Sequence, residues 1–372
     1  MPKAIALLSG GLDSTLAILV MLKQRIEITA VTFLNHFGCD ITDRSSCSKN
    51  PFPAAEQFGF RVKLCHLSSQ FLDIVKNPRF GHGKNMNPCI DCRILMLREA
   101  KELMDLTGAD FIVTGEVTGQ RPMSQKKNTL AMIDKEAGVK GYVLRPLSAK
   151  LMPVTVPEEK GLVRRELLYD FSGRSRKPQM ALARELGLTD YPAPAGGCLL
   201  TEPNYSYRLR ELLSHTPDPS LNDLRLLRLG RHFRFSPRCK AIVGRDEREN
   251  GTLECIGDKE SYLLWVEDAG SPTVLVSGEG AGDFIPLAAS LCARYSDARH
   301  LPEVEVTVVK GRDPLSVKSE ELEKNTPHHG SRITDHMVRI RVSPAESELI
   351  DAYRIEKPNI KGRNALSVLR DE

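Results

Sequence analysis

The sequence predicts an α/β domain built on a parallel sheet, followed by a smaller α+β domain. Three observations predict it. Short β-branched apolar runs alternate with segments of helical spacing through the first half, and a Gly-Gly turn directly follows the first run. Beyond about Pro217 the texture changes, with several strand-like runs and one longer helical segment. A chain of 372 residues also exceeds the usual size of a single core, so two domains are the natural expectation.

The elements follow in order. Lys3–Leu8 reads as a strand, Ser14–Lys23 as a helix and Ile28–Leu34 as a second strand. Phe52–Phe58 reads as a helix with Pro53 in its first turn, and Arg61–Leu67 as a third strand. In Ile94–Leu106 the residues Leu95, Met96, Leu103 and Leu106 are spaced to share a helical face, and Phe111–Thr114 is a strand ending at Gly115. Strands alternating with helices imply a parallel sheet with ligands at the carboxyl ends of its strands. The run Tyr191–Gly197 is too rich in Pro and Gly to continue a helix. In the second half, Lys240–Val243, Ser261–Val266, Thr273–Val276 and Glu303–Val309 read as strands and Ile285–Tyr295 as a helix. The expected domains are 1–175, a connector over 176–215, 216–310, and a C-terminal extension over 311–372.

Composition excludes several classes. No apolar run approaches the roughly 18 residues needed to span a bilayer. The N-terminus lacks the layout of a secretory signal, so a soluble cytoplasmic protein without membrane contact is expected. A net charge of +4 permits an RNA partner without requiring one. The nine cysteines, in a chain with no export signal, favour metal or catalytic use over disulfides. Most are scattered and read as small buried hydrophobes; Cys89, Cys92 and Cys198 stand out by context.

The first strand runs into Ser9-Gly10-Gly11-Leu12-Asp13-Ser14 and then a helix. Gly10 and Gly11 let backbone approach phosphate oxygens, and the free N–H groups of a helix start attract an anion. Ser9 and Ser14 can donate hydroxyl hydrogen bonds. Asp13 is suited to act through Mg²⁺, since a carboxylate repels phosphate. No Lys follows the glycines, which excludes a Walker A loop. The bland alternative is a tight turn with Ser and Asp as helix caps.

This stretch resembles the PP-loop ATP pyrophosphatases, whose motif is SGGxDS. The resemblance implies a Rossmann-like PP-loop (adenine nucleotide alpha hydrolase) domain that cleaves ATP between the α- and β-phosphates. It also implies that Phe33 lies near the adenine. The stretch Val113-Thr114-Gly115-Glu116, Gly119-Gln120, Ser124-Gln125, Leu130, Ile133-Asp134 and Leu144-Arg145-Pro146-Leu147 resembles the core of tRNA 4-thiouridine synthases. In that family this pattern shapes the nucleotide and acceptor site, here Thr114 and Gly115. Cys92–Arg98 looks like the family's basic helix, and Cys198 falls where the family keeps a catalytic cysteine. Longer members carry an N-terminal RNA-binding extension and some a rhodanese domain, so a short form is expected here.

Asn87-Pro88-Cys89-Ile90-Asp91-Cys92 puts two thiols at a helix start, where they could converge on one metal. No second Cys-x-x-Cys exists to complete a four-ligand zinc site. The arrangement is also similar to bacterial tRNA 2-thiouridine synthases, and iron–sulfur-dependent thiouridine synthases use three cysteines of this layout. That implies a [4Fe–4S] cluster on Cys89, Cys92 and Cys198 with one iron open to hydrosulfide. A persulfide and disulfide exchange between Cys198 and Cys92, structural zinc, and inert thiols stay as alternatives, with Cys65, His66 or His82 as a fourth ligand.

Basic residues cluster at Arg164-Arg165 and Arg174-Ser175-Arg176-Lys177, and recur at Arg225, Arg228, Arg231 and Arg234. The last spacing would form one helical stripe suited to phosphates, or a solvated helix face. The segment from Leu229 to Asn250 resembles the NFACT RNA-binding module. The expected reaction is adenylation of a tRNA uridine, with Asp13, Cys92 and Cys198 as catalytic residues. Sulfide or a persulfide carrier then displaces AMP. 4-Thiouridine is the leading product, 2-thiouridine the runner-up, and a homodimer is compatible. A PP-loop amide or amidine ligase acting on a small nucleotide, and a non-catalytic RNA-binding protein, are the competing readings. His328-His329 reads as a surface loop.

Overall fold

The apolar runs of the first half pair as parallel strands because each is followed by a helix that returns the chain to the same end of the sheet. In a computed structural model, which describes residues 1–37, 50–191, 198–311 and 337–356, the chain divides into two compact units, 1–202 and 203–372. Cys39, Cys47, the Pro-rich segment 192–197 and His328-His329 lie outside the described residues.

The first unit runs β1 (Lys3–Leu7), α1 (Leu12–Lys23), β2 (Glu27–Leu34), α2 (Phe52–Phe58), β3 (Arg61–His66), α3 (Ser68–Lys76), α4 (Cys89–Thr107), β4 (Phe111–Thr114), α5 (Lys127–Glu136), β5 (Val143–Leu144), α6 (Val156–Glu159) and α7 (Lys177–Glu185). The sheet order is β3-β2-β1-β4-β5, all parallel. β1 is central, with Ala4 opposite both Ile28 and Phe111. The chain reverses direction across the sheet between β1 and β4, so the crevice at their carboxyl ends opens at a topological switch point. α1 is buried nearly all round, and Leu16, Ile18 and Met21 are wholly enclosed. Each such side chain contributes about 2 kcal/mol of burial.

The second unit runs α8 (Pro203–His215), α9 (Leu221–Leu226), β6 (Arg231–Ser236), β7 (Cys239–Val243), α10 (Glu247–Ile256), β8 (Tyr262–Trp265), β9 (Val274–Gly278), α11 (Ile285–Tyr295), β10 (Val304–Lys310), β11 (Met337–Val342) and α12 (Ser347–Tyr353). Its sheet has the order β11-β10-β8-β9-β7-β6 and is antiparallel throughout. Ala288, Leu291 and Cys292 of α11 join the inward residues of this sheet in one core. Burial pushes the thiols of Cys239 and Cys292 up to about 11 and about 12, so both behave as inert core residues.

The structure corrects the expected arginine stripe. α9 ends at Leu226, so only Arg225 is helical, Arg228 lies in the following turn, and Arg231 and Arg234 belong to β6. The strand wins because Phe233 and Phe235 alternate into the core at a spacing of two residues.

His232 is buried on the opposite face of β6 from these phenylalanines, with Nε2 2.8 Å from the Leu229 carbonyl. Burial, then the charges of Arg208 and Lys240, push its pKa well below the ordinary value, so the folded ring is neutral. The unfolded ring takes up a proton below about pH 6.5. The second unit should therefore hold its full stability above that pH and lose it progressively as the pH falls. Urea unfolding between pH 7 and 5, followed by the single tryptophan, Trp265 in β8, should show this loss, and His232→Gln should flatten it.

Candidate active site

Leu8 continues the direction of β1, with its N–H donating to the Val31 carbonyl and its own carbonyl accepting from the Thr32 hydroxyl. The chain then turns sharply. Gly10 has φ +68°, a backbone state that strongly favours glycine, and Gly11 is the extended N-cap of α1. The Ser14 hydroxyl donates to the Gly11 carbonyl at 2.9 Å and lies 3.2 Å from the Ser9 hydroxyl. These bonds fold the loop back on itself and leave the first N–H groups of α1 facing the crevice.

Asp13 sits in that first turn with its two oxygens in different environments. Oδ2 accepts a hydrogen bond from Gln120 Nε2 at 2.7 Å and lies 3.7 Å from Arg176 Nη2. Oδ1 is buried with no hydrogen-bond partner among the described residues. Gln120 is itself held by Gln179, a fully buried residue whose Nε2 lies 3.3 Å from Gln120 Oε1. An oriented carboxylate with one unengaged oxygen fits a divalent cation, and Mg²⁺ bound there would neutralise charge on the ATP phosphates.

Gly115 closes the loop from below. A Cβ at this position would meet the backbone carbonyl of Asp13 at 2.5 Å, so the end of β4 can lie against the start of α1 only without a side chain. Beyond it, Thr114, Glu116, Asp134 and Arg145 form a buried network. Arg145 Nε donates to Glu116 Oε2 at 2.9 Å, and its Nη atoms grip both oxygens of Asp134 at 2.8 and 2.7 Å. Burial alone would raise the Glu116 pKa, but Arg145 and Arg93 hold that carboxyl below its ordinary range. Burial has the upper hand at Asp134, whose pKa is raised despite Arg145.

Arg93 links this network to the cysteines. Its Nη1 lies 3.7 Å from Glu116 Oε1. Burial opposes its charge, yet Glu116, Cys89 and Cys92 together raise its pKa. Cys89 opens α4, and Asp91 anchors the helix start by accepting from the backbone N–H groups of Arg79 and Phe80. Cys198 begins a short turn over Leu199–Thr201, and that turn is tied to the loop before Cys89. The Met86 N–H donates to the Leu200 carbonyl at 3.1 Å, and Asn85 Nδ2 to the Thr201 carbonyl at 2.7 Å. Among the described residues, however, no three His, Cys, Asp or Glu side chains are grouped to hold a metal ion. Cys89 and Cys92 lie at the start of one helix, and Cys198 precedes the turn bonded to the loop before them.

Other expected residues divide. Phe33 is buried inside β2, opposite Cys65 of β3. Arg165 is taken up internally, donating to Glu158 and to the carbonyls of Ala149 and Met152, whereas Arg164 is exposed. Arg176 faces Asp13 at the phosphate loop, while its neighbours Arg174 and Lys177 are exposed. In the second unit Arg231 donates to the Gly244 carbonyl and stacks on Tyr295, and Arg228 is half-buried. Arg176, expected in an RNA-facing cluster, is the site residue that sequence reasoning placed elsewhere, whereas Gln120 already stood in the Thr114–Leu147 pattern.

Comparison with known proteins fits this geometry. Residues 1–150 match the family model described as thiamine biosynthesis protein (ThiI). Residues 1–150 form a ThiI-family domain. Residues 230–329 match the NFACT protein RNA binding domain. A probable tRNA sulfurtransferase of Lysinibacillus sphaericus is 30% identical over 163 residues, 43% of this chain and 38% of that protein. A tRNA-specific 2-thiouridylase MnmA of Herpetosiphon aurantiacus is 28% identical over 228 residues, 57% of this chain and 59% of that protein. The chain thus spans less than two thirds of the length of these relatives. A solved 4-thiouridine synthetase–RNA complex with bound ATP overlaps 50% of this chain and 52% of that one, at 23% identity and a TM-score of 0.32.

Two variants test the ThiI-type domain. Gly115→Ala should push the start of α1 out of place and weaken ATP-dependent turnover about 100-fold, the usual cost of a 1 Å misplacement. Steady-state pyrophosphate release would measure it. Gln120→Ala should free the Asp13 carboxylate, so half-maximal pyrophosphate release should need several-fold more Mg²⁺, with Gln120→Glu unable to restore it because a carboxylate cannot donate.

Proposed function

We propose that this chain thiolates a uridine of tRNA at the expense of ATP, with 4-thiouridine as the product. One observation carries the reading. The turn bearing Cys198 is bonded to the loop that leads into Cys89 and Cys92, and Arg93 connects that helix start to the crevice where the phosphate loop lies. A nucleotide-activating loop and a set of thiols in one unit are what sulfur exchange at a carbonyl requires.

The chemistry runs in two displacements. The uridine C4 oxygen attacks the α-phosphorus of ATP, pyrophosphate leaves, and the N3 proton is released. The helix N–H groups of the loop, Ser9 and Ser14 hold the phosphates, and Arg176 stands ready for charge on the departing pyrophosphate. Adenylation turns a poor leaving group into AMP. A persulfide on Cys198, charged by an external sulfur carrier, then attacks C4 through its terminal sulfur, and AMP leaves. Attack of the Cys92 thiolate on the Cys198 sulfur forms a Cys92–Cys198 disulfide and frees the thionucleoside, which regains its N3 proton. A dithiol reductant resets the pair.

The relatives named as 2-thiouridylases and the Asn87–Cys92 arrangement favour 2-thiouridine as the second reading. Anaerobically purified protein should be given unmodified tRNA, Mg-ATP, a persulfide-bearing sulfur carrier regenerated in the assay and dithiothreitol, and the digested nucleosides analysed by mass spectrometry. Thiouridine formed only with ATP is expected, and its retention time names the ring position. Cys198→Ser should abolish thiouridine while pyrophosphate is still released in the presence of tRNA. Sulfur transfer undiminished in that variant would overturn the thiol route, and iron with acid-labile sulfide in the active protein would favour a cluster.

A further inference from the structure

The second unit contains a cleft of about 350 Å³ that the chemistry above does not use. It lies between α8–α9 on one side and β6, β7, β9 and the end of α10 on the other. Part of its wall, residues 212–226, precedes the matched RNA-binding segment, which begins at residue 230. Its floor is apolar, with Leu226, Ile256 and Leu275.

Two of the cations inside are already paired, and Asp258 in the lining accepts from the backbone N–H groups of Glu260 and Ser261. Lys240, nearly buried, donates to Asp223 at 2.8 Å, and Arg234 grips both oxygens of Glu211 at 2.6 and 3.0 Å. By contrast, the side chains of Thr216, Asn222 and Ser277 face the cleft with no hydrogen-bond partner among the described residues. His215 stands at the mouth. Arg238, 76% exposed, has the exposed Glu279 as its side-chain partner among the described residues. Such exposed pairs contribute little and exchange readily for another anion.

We propose that this cleft receives a single unpaired nucleotide of RNA. This rests on the tRNA reading and deepens it. An interior with paired cations and free hydroxyl and amide groups over an apolar floor suits a heterocyclic base, which offers uncharged donors and acceptors at its edge and an apolar face. His215 supplies a ring for stacking, and Arg238 a cation for the adjoining phosphate. The volume lies at the low end of the range for small-ligand sites, about 300–1,000 Å³, which admits one nucleotide and no duplex. A duplex would present phosphates to cations that are already paired within the cleft.

The full chain should be titrated with a fluorescein-labelled single-stranded octaribonucleotide, and with the same strand annealed to its complement. Single-strand binding at least about tenfold tighter than duplex binding is expected. Ser277→Tyr, which fills the cleft from β9, should weaken single-strand binding about tenfold or more while Trp265 emission stays unchanged. If Ser277→Tyr alters the Trp265 emission, Asn222→Trp on the exposed rim decides instead. Wild-type binding to the single strand with both variants unaffected, or a preference for the duplex, overturns the cleft proposal and leaves the tRNA reading standing. Wild-type protein that binds neither RNA likewise overturns the cleft proposal, while the tRNA reading is decided by the thiouridine assay.

Discussion

The buried guanidinium of Arg145 is the constraint on which the rest of the first unit depends. It joins Glu116, just past β4, to Asp134 on α5, and all three side chains are withdrawn from water. Buried charges of this kind persist only when every one is paired, and removing a single partner costs about 3–5 kcal/mol. The network therefore fixes the segment after β4 in one position. Gly115 at its start lies under Asp13, and Gln120 further along holds Asp13 Oδ2. Through Glu116 the same network reaches Arg93 and the start of the cysteine helix. One ion-paired core thus sets the geometry of both the phosphate loop and the thiols.

The loop Ser9–Ser14 of the first unit contains no lysine. The two serine hydroxyls are bonded within the loop, and the negative charge of Asp13 is turned so that one oxygen is used up by Gln120. The other oxygen is available to a cation. Arg176 adds positive charge from a segment more than 150 residues away in sequence, at the N-cap of α7. The second unit handles charge differently: its arginines and lysine near the cleft are mostly neutralised internally, which leaves recognition to uncharged groups.

Much of this was legible in the residues, and the gaps have physical causes. The first four strands, α1 and α2 lie close to where apolar periodicity put them, with Phe52–Phe58 matching at both ends, whereas α4 begins at Cys89 instead of Ile94 and α3, α5, β5, α6 and α7 had no assigned pattern. The arginine spacing from Arg225 to Arg234 misled, because a repeat of three is compatible with a helix face while Phe233 and Phe235 answer to the core on a period of two. Local charge clusters misled in the same way. Arg164 and Arg165 are neighbours, yet one faces water and the other is consumed by Glu158 and two carbonyls.

By itself the sequence determined the parallel α/β domain, the Gly-Gly turn at Ser9–Ser14 between the first strand and its helix, and the three cysteines worth asking about, because these depend on residue type and short-range spacing. Tertiary structure alone decided the orientation of Asp13, the closeness demanded of Gly115, the recruitment of Arg176, and the tie between the Cys198 turn and the helix start. Those depend on residues far apart in the chain, and hydrogen bonds and buried ion pairs at long range leave no local pattern to read.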